Sequence, residues 1–160
     1  MATLDDYKEV LEQFLPPGVP WGTSVRYSRL LSAGRFPATY GLVATSGALE
    51  ELAHYNPQEG IVLRRNEVGT AAGLSLLVHE ATHALMAQQH KGGPRQFVID
   101  YERAEKARLA EGLPVWANFF EYPAYLAECR AFKILVAEGW EPGPWTPLGV
   151  TEGLCGATSA

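Results

Sequence analysis

Residues 71–90 form the strongest helical pattern in the chain. Their apolar side chains recur every three to four residues, which is the period of a helix with one buried face. This apolar stripe consists of Leu74, Leu77, Val78, Ala81, Ala84 and Leu85. His79 and His83 are four residues apart, so they lie about 40° apart around the helix and one turn apart along it. The segment is therefore predicted to be a packed helix that presents two imidazoles together, away from the stripe.

The two histidines belong to the sequence His79-Glu80-Ala81-Thr82-His83, whose residue types suit a metal ion. Neutral imidazole nitrogens are good zinc ligands, at about 2.0–2.1 Å from the ion. Glu80 projects about 100° away from His79 around the helix, too far to be a third ligand but near enough to take a proton from a zinc-bound water. The alternative is a pair of structural histidines. We favour zinc, because two of the four histidines in the chain fall in this pattern.

A catalytic zinc usually has a third protein ligand, and no further histidine is suitable. The extended motif His-Glu-x-x-His-x-x-Gly-x-x-His fails, since Met86 stands in place of the glycine and Gln89 in place of the last histidine. On a continuous helix His90 lies about 10.5 Å along the axis from His83, too far to share the ion. His54 lies in a predicted hairpin. A carboxylate is therefore expected.

Two carboxylates lie on an otherwise apolar face of a later predicted helix, at Glu121 and Glu128. Such carboxylates are costly to bury unless they are paired or bound to a metal. They are seven residues apart, roughly 10.5 Å along a helix, so only one of them can be a ligand. The residues themselves leave the choice open.

The two motifs together, His79-Glu80-Ala81-Thr82-His83 and Glu121-x-x-Ala124, resemble those of the gluzincin zinc metallopeptidases, in a compact zincin-like form. In that group the first Glu of the second motif is the third zinc ligand, so the resemblance implies Glu121. It also implies that residues 60–63 form an edge strand that pairs with the substrate backbone.

The chain departs from the gluzincin pattern at two positions. Tyr125 stands where many relatives have an acidic residue that orients a zinc histidine, so this role is unassigned. Pro123 removes a helical N–H close to Glu121. If the helix begins only at Pro123, Glu128 becomes the better anchored carboxylate, and it is kept as the alternative third ligand.

The remaining elements predict an α+β fold, in which a small sheet or hairpin packs on the metal-binding helix and a Glu-bearing helix follows. Helices are expected at residues 4–15, 100–111 (with Asp100 as N-cap) and 121–138, and a strand at residues 38–44. Residues 49–55 and 61–65 would form a hairpin around the turn at 56–60. We predict one domain over residues 1–140 and a Pro- and Gly-rich tail over 141–160, lying on the surface or disordered.

Composition excludes several classes of partner. The net charge of −5 argues against binding to nucleic acid or to an anionic membrane. The N-terminus has no basic and apolar segments of a signal peptide, and the apolar runs are too short to span a bilayer. Cys129 and Cys155 belong to no Cys-x-x-Cys pair. A cytoplasmic protein with two free thiols is expected.

Together these features predict a zinc-dependent peptidase. Zinc would be held by His79, His83 and Glu121, and Glu80 would be the general base that deprotonates the zinc-bound water. The strand at residues 61–65 would align an extended peptide or protein substrate. The alternative is a non-catalytic, zinc-stabilised binding module, an inactive relative with the same cleft. An intact Glu80 favours the enzyme, because a purely structural site does not need a carboxylate at that position.

Overall fold

A computed structural model describes residues 69–156, the turn residue Gln13, and the backbone of three short strands. The strands are β1 (Val43–Ser46), β2 (Ala53–Asn56) and β3 (Gly60–Arg64). They pair in the order β1-β3-β2, with β1 parallel and β2 antiparallel to β3. The helices are α1 (Ala71–Gln89), α2 (Gly93–Ala110), α3 (Tyr122–Ala137) and α4 (Leu148–Thr151), with a 3-10 turn at Val115–Ala117.

Helix α1 is capped by its own sequence and by the C-terminal segment. The side chain of Thr70 accepts the backbone N–H of Gly73 at 3.0 Å, which satisfies one of the donors that a helix leaves unpaired at its start. The N–H of Ala71 is donated to the carbonyl of Glu141 at 2.7 Å. The segment after α3 therefore returns to the beginning of α1.

The described hydrophobic core lies between α1 and α3. Its buried residues come from these two helices alone, and Leu74, Leu77, Val78 and Leu135 are among its largest fully buried side chains. Trp140, Trp145 and Val150 pack against its margin. The apolar stripe predicted on α1 is thus buried against a second helix. Each Å² of apolar surface removed from water stabilises the fold by about 25 cal/mol.

The prediction of an α+β fold, with a sheet or hairpin packed on the metal-binding helix, is wrong. The part of the chain whose side chains are described is 67% helix, with no strand and no sheet. The physical reason is that α1 buries its stripe against α3, so the described core is a contact of helix on helix. Strands β1 to β3 are described in their backbone only and lie before this helical part.

Helix boundaries agree with the predictions for α1 and α3 but not for α2. The second helix begins at Gly93 rather than at Asp100, with Pro94 in its first turn, where a missing N–H has no consequence. Asp100 is not an N-cap; its Oδ2 instead lies 2.7 Å from Nε2 of His90. The predicted helix at residues 4–15 and strand at 38–44 lie outside the described residues, apart from Gln13 and the overlap with β1.

The prediction of two free thiols is also wrong, because Cys129 and Cys155 form a disulfide. The chain after α3 folds back, so that Gly149 of α4 packs against the carbonyl of Tyr125; a side chain at Gly149 would lie only 2.9 Å from this oxygen. This close approach brings Cys155 to α3. Disulfides are rare in the cytosol, so the pair argues against the cytoplasmic location, which stays a prediction.

None of the helices in the described residues is both long and apolar enough to cross a membrane. The division into a domain of residues 1–140 and a tail of 141–160 stays a prediction.

Candidate metal centre

Helix α1 places His79 and His83 on the same buried surface. They are 5% and 8% exposed, and their ring centroids are 4.9 Å apart in an edge-to-face arrangement. Both Nε2 atoms lie close to one carboxylate oxygen, Oε1 of Glu121, which is 3.1 Å from that of His79 and 2.9 Å from that of His83. The spacing of four residues on a helix therefore brings both imidazoles to a single point, as predicted.

Glu121 reaches this point from the turn that precedes α3. The side chain of Asn118 accepts the N–H of Phe120 at 2.8 Å, and its backbone carbonyl accepts the N–H groups of Glu121 and Tyr122, both at 3.0 Å. An asparagine that bonds to the backbone two residues ahead is typical of a tight turn. Pro123 falls in the first turn of α3, where helices tolerate it. Glu121 thus lies immediately before α3, and its side chain still contacts both histidines.

Glu128 does not join Glu121 at the two Nε2 atoms. Its Oε1 lies 2.9 Å from Nδ1 of His79, and the residue is 3% exposed. A histidine that gives its Nδ1–H to a carboxylate keeps the lone pair on Nε2 free for a metal. Glu128 therefore contacts the His79 ring nitrogen other than the one at Glu121, and it is not part of the group formed with Glu121. The ring of Tyr125 packs edge-on against His79, with 4.5 Å between centroids.

The three residues His79, His83 and Glu121 lie close enough to bind one metal ion. Each offers one donor atom, and these atoms lie within 4.8 Å of one another. Among the residues with described side chains, they form the one such group. Ligand atoms bound to a tetrahedral zinc at about 2.0–2.1 Å would be about 3.3 Å apart. The observed separations of 2.9 and 3.1 Å are close to this value.

His83 provides an independent indication that the group suits a cation. Its Nε2 is fully buried and has no hydrogen-bond partner among the described residues, although Oε1 of Glu121 lies 2.9 Å away. The contact is short but does not have the direction of a hydrogen bond. A buried polar atom without a partner is costly, and a metal ion would accept its lone pair.

Without a metal, protons on the two histidines supply the positive charge at this site. Burial lowers the pKa of His79, but hydrogen bonds with Glu121 and Glu128 outweigh it and raise the pKa to about 10. The pKa of His83 is raised against the same effect of burial, mainly by Glu121. For Glu121, burial raises the pKa, yet the two imidazoles hold it well below its ordinary value. The metal-free site thus favours protonated imidazoles beside an ionised Glu121, and a binding metal would displace these protons.

Glu80 is buried beside the group but is not one of its ligand residues. Its Oε2 lies 3.6 Å from Nδ1 of His83, beyond the length of a good hydrogen bond. This contact is with the His83 ring nitrogen other than the one at Glu121, so the general-base role of Glu80 stays a prediction.

Helix α2 contributes contacts that the sequence did not indicate. The hydroxyl of Tyr101 donates to Oε2 of Glu121 at 2.5 Å, and Glu105 accepts the side-chain N–H of Asn118 at 3.2 Å. Arg108 in turn donates to both oxygens of Glu105, at 2.7 and 2.8 Å. A helical period of four and then three residues places these three side chains on one face, which is the signal that could have grouped them.

The predicted substrate strand is not an edge strand. Residues Gly60–Arg64 pair with β1 from Val43↔Ile61 to Ser46↔Arg64, and with β2 from Asn56↔Gly60 to Ala53↔Leu63. β3 is therefore the central strand, and its backbone groups on both sides already have partners. The expectation that this strand pairs with a substrate is wrong. The side chain of His54, on β2, lies outside the described residues.

Comparisons with known proteins supply no relative. No protein family matches the chain, and no curated protein and no solved structure matches it either.

Proposed function

We propose that this chain is a zinc-dependent hydrolase that cleaves peptide bonds. The observation that carries the proposal is the buried group of His79, His83 and Glu121, whose donor atoms converge while His83 Nε2 lacks a hydrogen-bond partner among the described residues. Two imidazoles and one carboxylate are a ligand set found in catalytic zinc sites, in which the fourth position holds water. A structural zinc site usually has four protein ligands, which leave no position for water.

Zinc held by this group would acidify a water molecule and polarise the carbonyl of a scissile bond. Glu80 takes the proton from the attacking water and passes it to the leaving amine. Glu128 keeps the His79 ring in the orientation and tautomer that free its Nε2. The water-poor surroundings of these buried side chains strengthen each electrostatic contact.

The choice of a peptide bond as substrate rests on the resemblance to gluzincins. It draws on the motif of residues 79–83 and on Glu121, which supplies a ligand atom at the position that the resemblance implies. The central position of β3 removes strand pairing from the proposal, so an extended peptide must be held by other parts of the chain.

Glu80→Gln tests the proposed reaction. The amide keeps the size of the side chain but cannot accept a proton, so zinc binding and the thermal midpoint should be unchanged. Cleavage of a peptide library, followed by mass spectrometry, should fall by about 10²–10⁴-fold, the usual contribution of a general base. The control is Glu102→Gln, the same change at an exposed position of α2, which should cleave like the wild type.

Two results would count against the proposal. Undiminished cleavage by Glu80→Gln would exclude Glu80 as the base. A zinc-loaded wild type that cleaves no peptide in a broad library would favour the non-catalytic, zinc-stabilised binding module instead.

A further inference from the structure

The two oxygens of the Glu121 carboxylate have different partners. Oε1 faces the Nε2 atoms of His79 and His83, at 3.1 and 2.9 Å. Oε2 accepts the hydroxyl of Tyr101 at 2.5 Å. One oxygen thus lies at the metal-binding group, and the other is directed toward α2.

The position of Tyr101 is fixed by its surroundings. Its ring lies edge-on to His83, with centroids 6.0 Å apart, and is flanked by Phe97 and Phe120 at 6.2 and 6.3 Å. One helical turn later, Glu105 bonds to the Asn118 side chain, which shapes the turn before Glu121. Helix α2 therefore fixes Glu121 in two ways: Tyr101 bonds to its carboxylate, and Glu105 bonds to Asn118 in the turn that precedes it.

This division matters because a carboxylate can bind a metal through one oxygen or through both. If both oxygens of Glu121 bound, a site that also holds a water would have five ligands instead of the four of a tetrahedral zinc site. A hydrogen bond from a phenol to a carboxylate is charge-assisted, and such bonds are roughly twice as strong as neutral ones. Tyr101 can therefore compete with the metal for Oε2.

We propose that Tyr101 is a positioning residue that makes Glu121 a one-oxygen ligand, so that the metal with its water would have four ligands and not five. The proposal rests on the metal site proposed above but not on its activity toward peptides. Tyr101 acts through Glu121 and is not one of the three residues of the metal-binding group. Its hydroxyl sets the coordination number, whereas its ring contributes to the aromatic packing around His83.

Tyr101→Phe, loaded with cobalt(II) in place of zinc, tests the proposal. The substitution keeps the ring and removes only the hydroxyl. Four-coordinate cobalt(II) absorbs visible light more strongly than five-coordinate cobalt(II), so the variant's molar absorptivity should fall as Oε2 joins the metal. Metal affinity should change by no more than the roughly 10–100-fold typical of outer partners. The matched control is Tyr122→Phe, which removes the hydroxyl of a residue directly after Glu121 that is 44% exposed.

The outcomes separate this proposal from the metal site itself. A spectrum of Tyr101→Phe equal to those of the wild type and Tyr122→Phe would overturn the positioning role. A wild type that binds no cobalt or zinc would overturn the metal site, and the positioning role with it. If Tyr101→Phe does not fold, a crystal structure of the zinc-loaded wild type decides: the proposal requires Oε1 at about 2.0–2.2 Å from zinc with Oε2 still bonded to Tyr101, and two-oxygen binding would overturn it.

Discussion

Removal of the Glu128 carboxylate is expected to weaken metal binding without abolishing it. Glu128 is 3% exposed, and its Oε1 lies 2.9 Å from Nδ1 of His79. In Glu128→Ala this buried N–H loses its acceptor, and the His79 ring loses one of the contacts that hold its orientation. Loss of such an outer partner typically lowers metal affinity by about 10–100-fold, or about 1.4–2.7 kcal/mol of binding free energy. Glu121→Ala removes a donor atom itself, so its affinity should fall by more than about 100-fold.

Competition against a chromophoric chelator measures both affinities at one pH and ionic strength. The control is Glu138→Ala, at an exposed position just after the same helix, and it should bind zinc like the wild type. Thermal unfolding of each metal-free variant shows whether the fold is retained. The expected order of affinity is Glu138→Ala, then Glu128→Ala, then Glu121→Ala.

Two results would refute this reasoning. If Glu128→Ala lost more affinity than Glu121→Ala, the ligand and the orienting residue would be exchanged. If Glu128→Ala matched Glu138→Ala, the hydrogen bond to His79 would have no effect on the metal.

Two further predictions concern stability. Reduction of the Cys129–Cys155 disulfide, at a sequence separation of 26, should lower the free energy of unfolding by about 3.5 kcal/mol, the loop-closure value. Urea unfolding with and without a dithiol measures this loss of stability, and the double variant Cys129→Ser/Cys155→Ser should be unaffected by the dithiol. A wild-type midpoint that the dithiol leaves unchanged would contradict the prediction. The metal-free protein should be most stable between pH 4.5 and pH 6.5. These limits are the ordinary pKa values of Glu and of His, which apply to Glu121 and His79 in the unfolded chain. The raised pKa of His79 makes its contribution fade as pH rises from 6.5 to about 10, and the lowered pKa of Glu121 makes its own fade as pH falls below 4.5. Added zinc should reverse the alkaline trend, since zinc binds neutral imidazole; unfolding across pH with and without zinc tests this, and metal-free stability that rises above pH 6.5 would refute it.

The sequence predicts the histidine pair well because the pair depends only on helical geometry. A spacing of four residues places His79 and His83 together on one face of α1, and the apolar stripe identifies the residues of α1 that pack in the core. Helix α3 is predicted for the same reason. The sequence predicts that α2 starts at Asp100, but the helix begins at Gly93 with Pro94 in its first turn, a position that favours proline.

Contacts between distant segments could not be predicted from local patterns. The spacing of Glu121 and Glu128 says that only one of them can be a ligand, but the choice depends on the Asn118 turn and on how α3 crosses α1. The roles of Tyr101 and the disulfide likewise depend on tertiary packing. A strand pattern also does not say which strand of a sheet is central.

Zinc content is the measurement that tests the metal centre most directly. Protein made without a His-tag and grown with added zinc should contain about one zinc per chain by elemental analysis. His83→Ala should lose that zinc, whereas His90→Ala should keep it, because His90 pairs with Asp100 and is not part of the group. A zinc content near zero in the wild type, or equal contents in the wild type and His83→Ala, would contradict the assignment of His79, His83 and Glu121 as a metal centre.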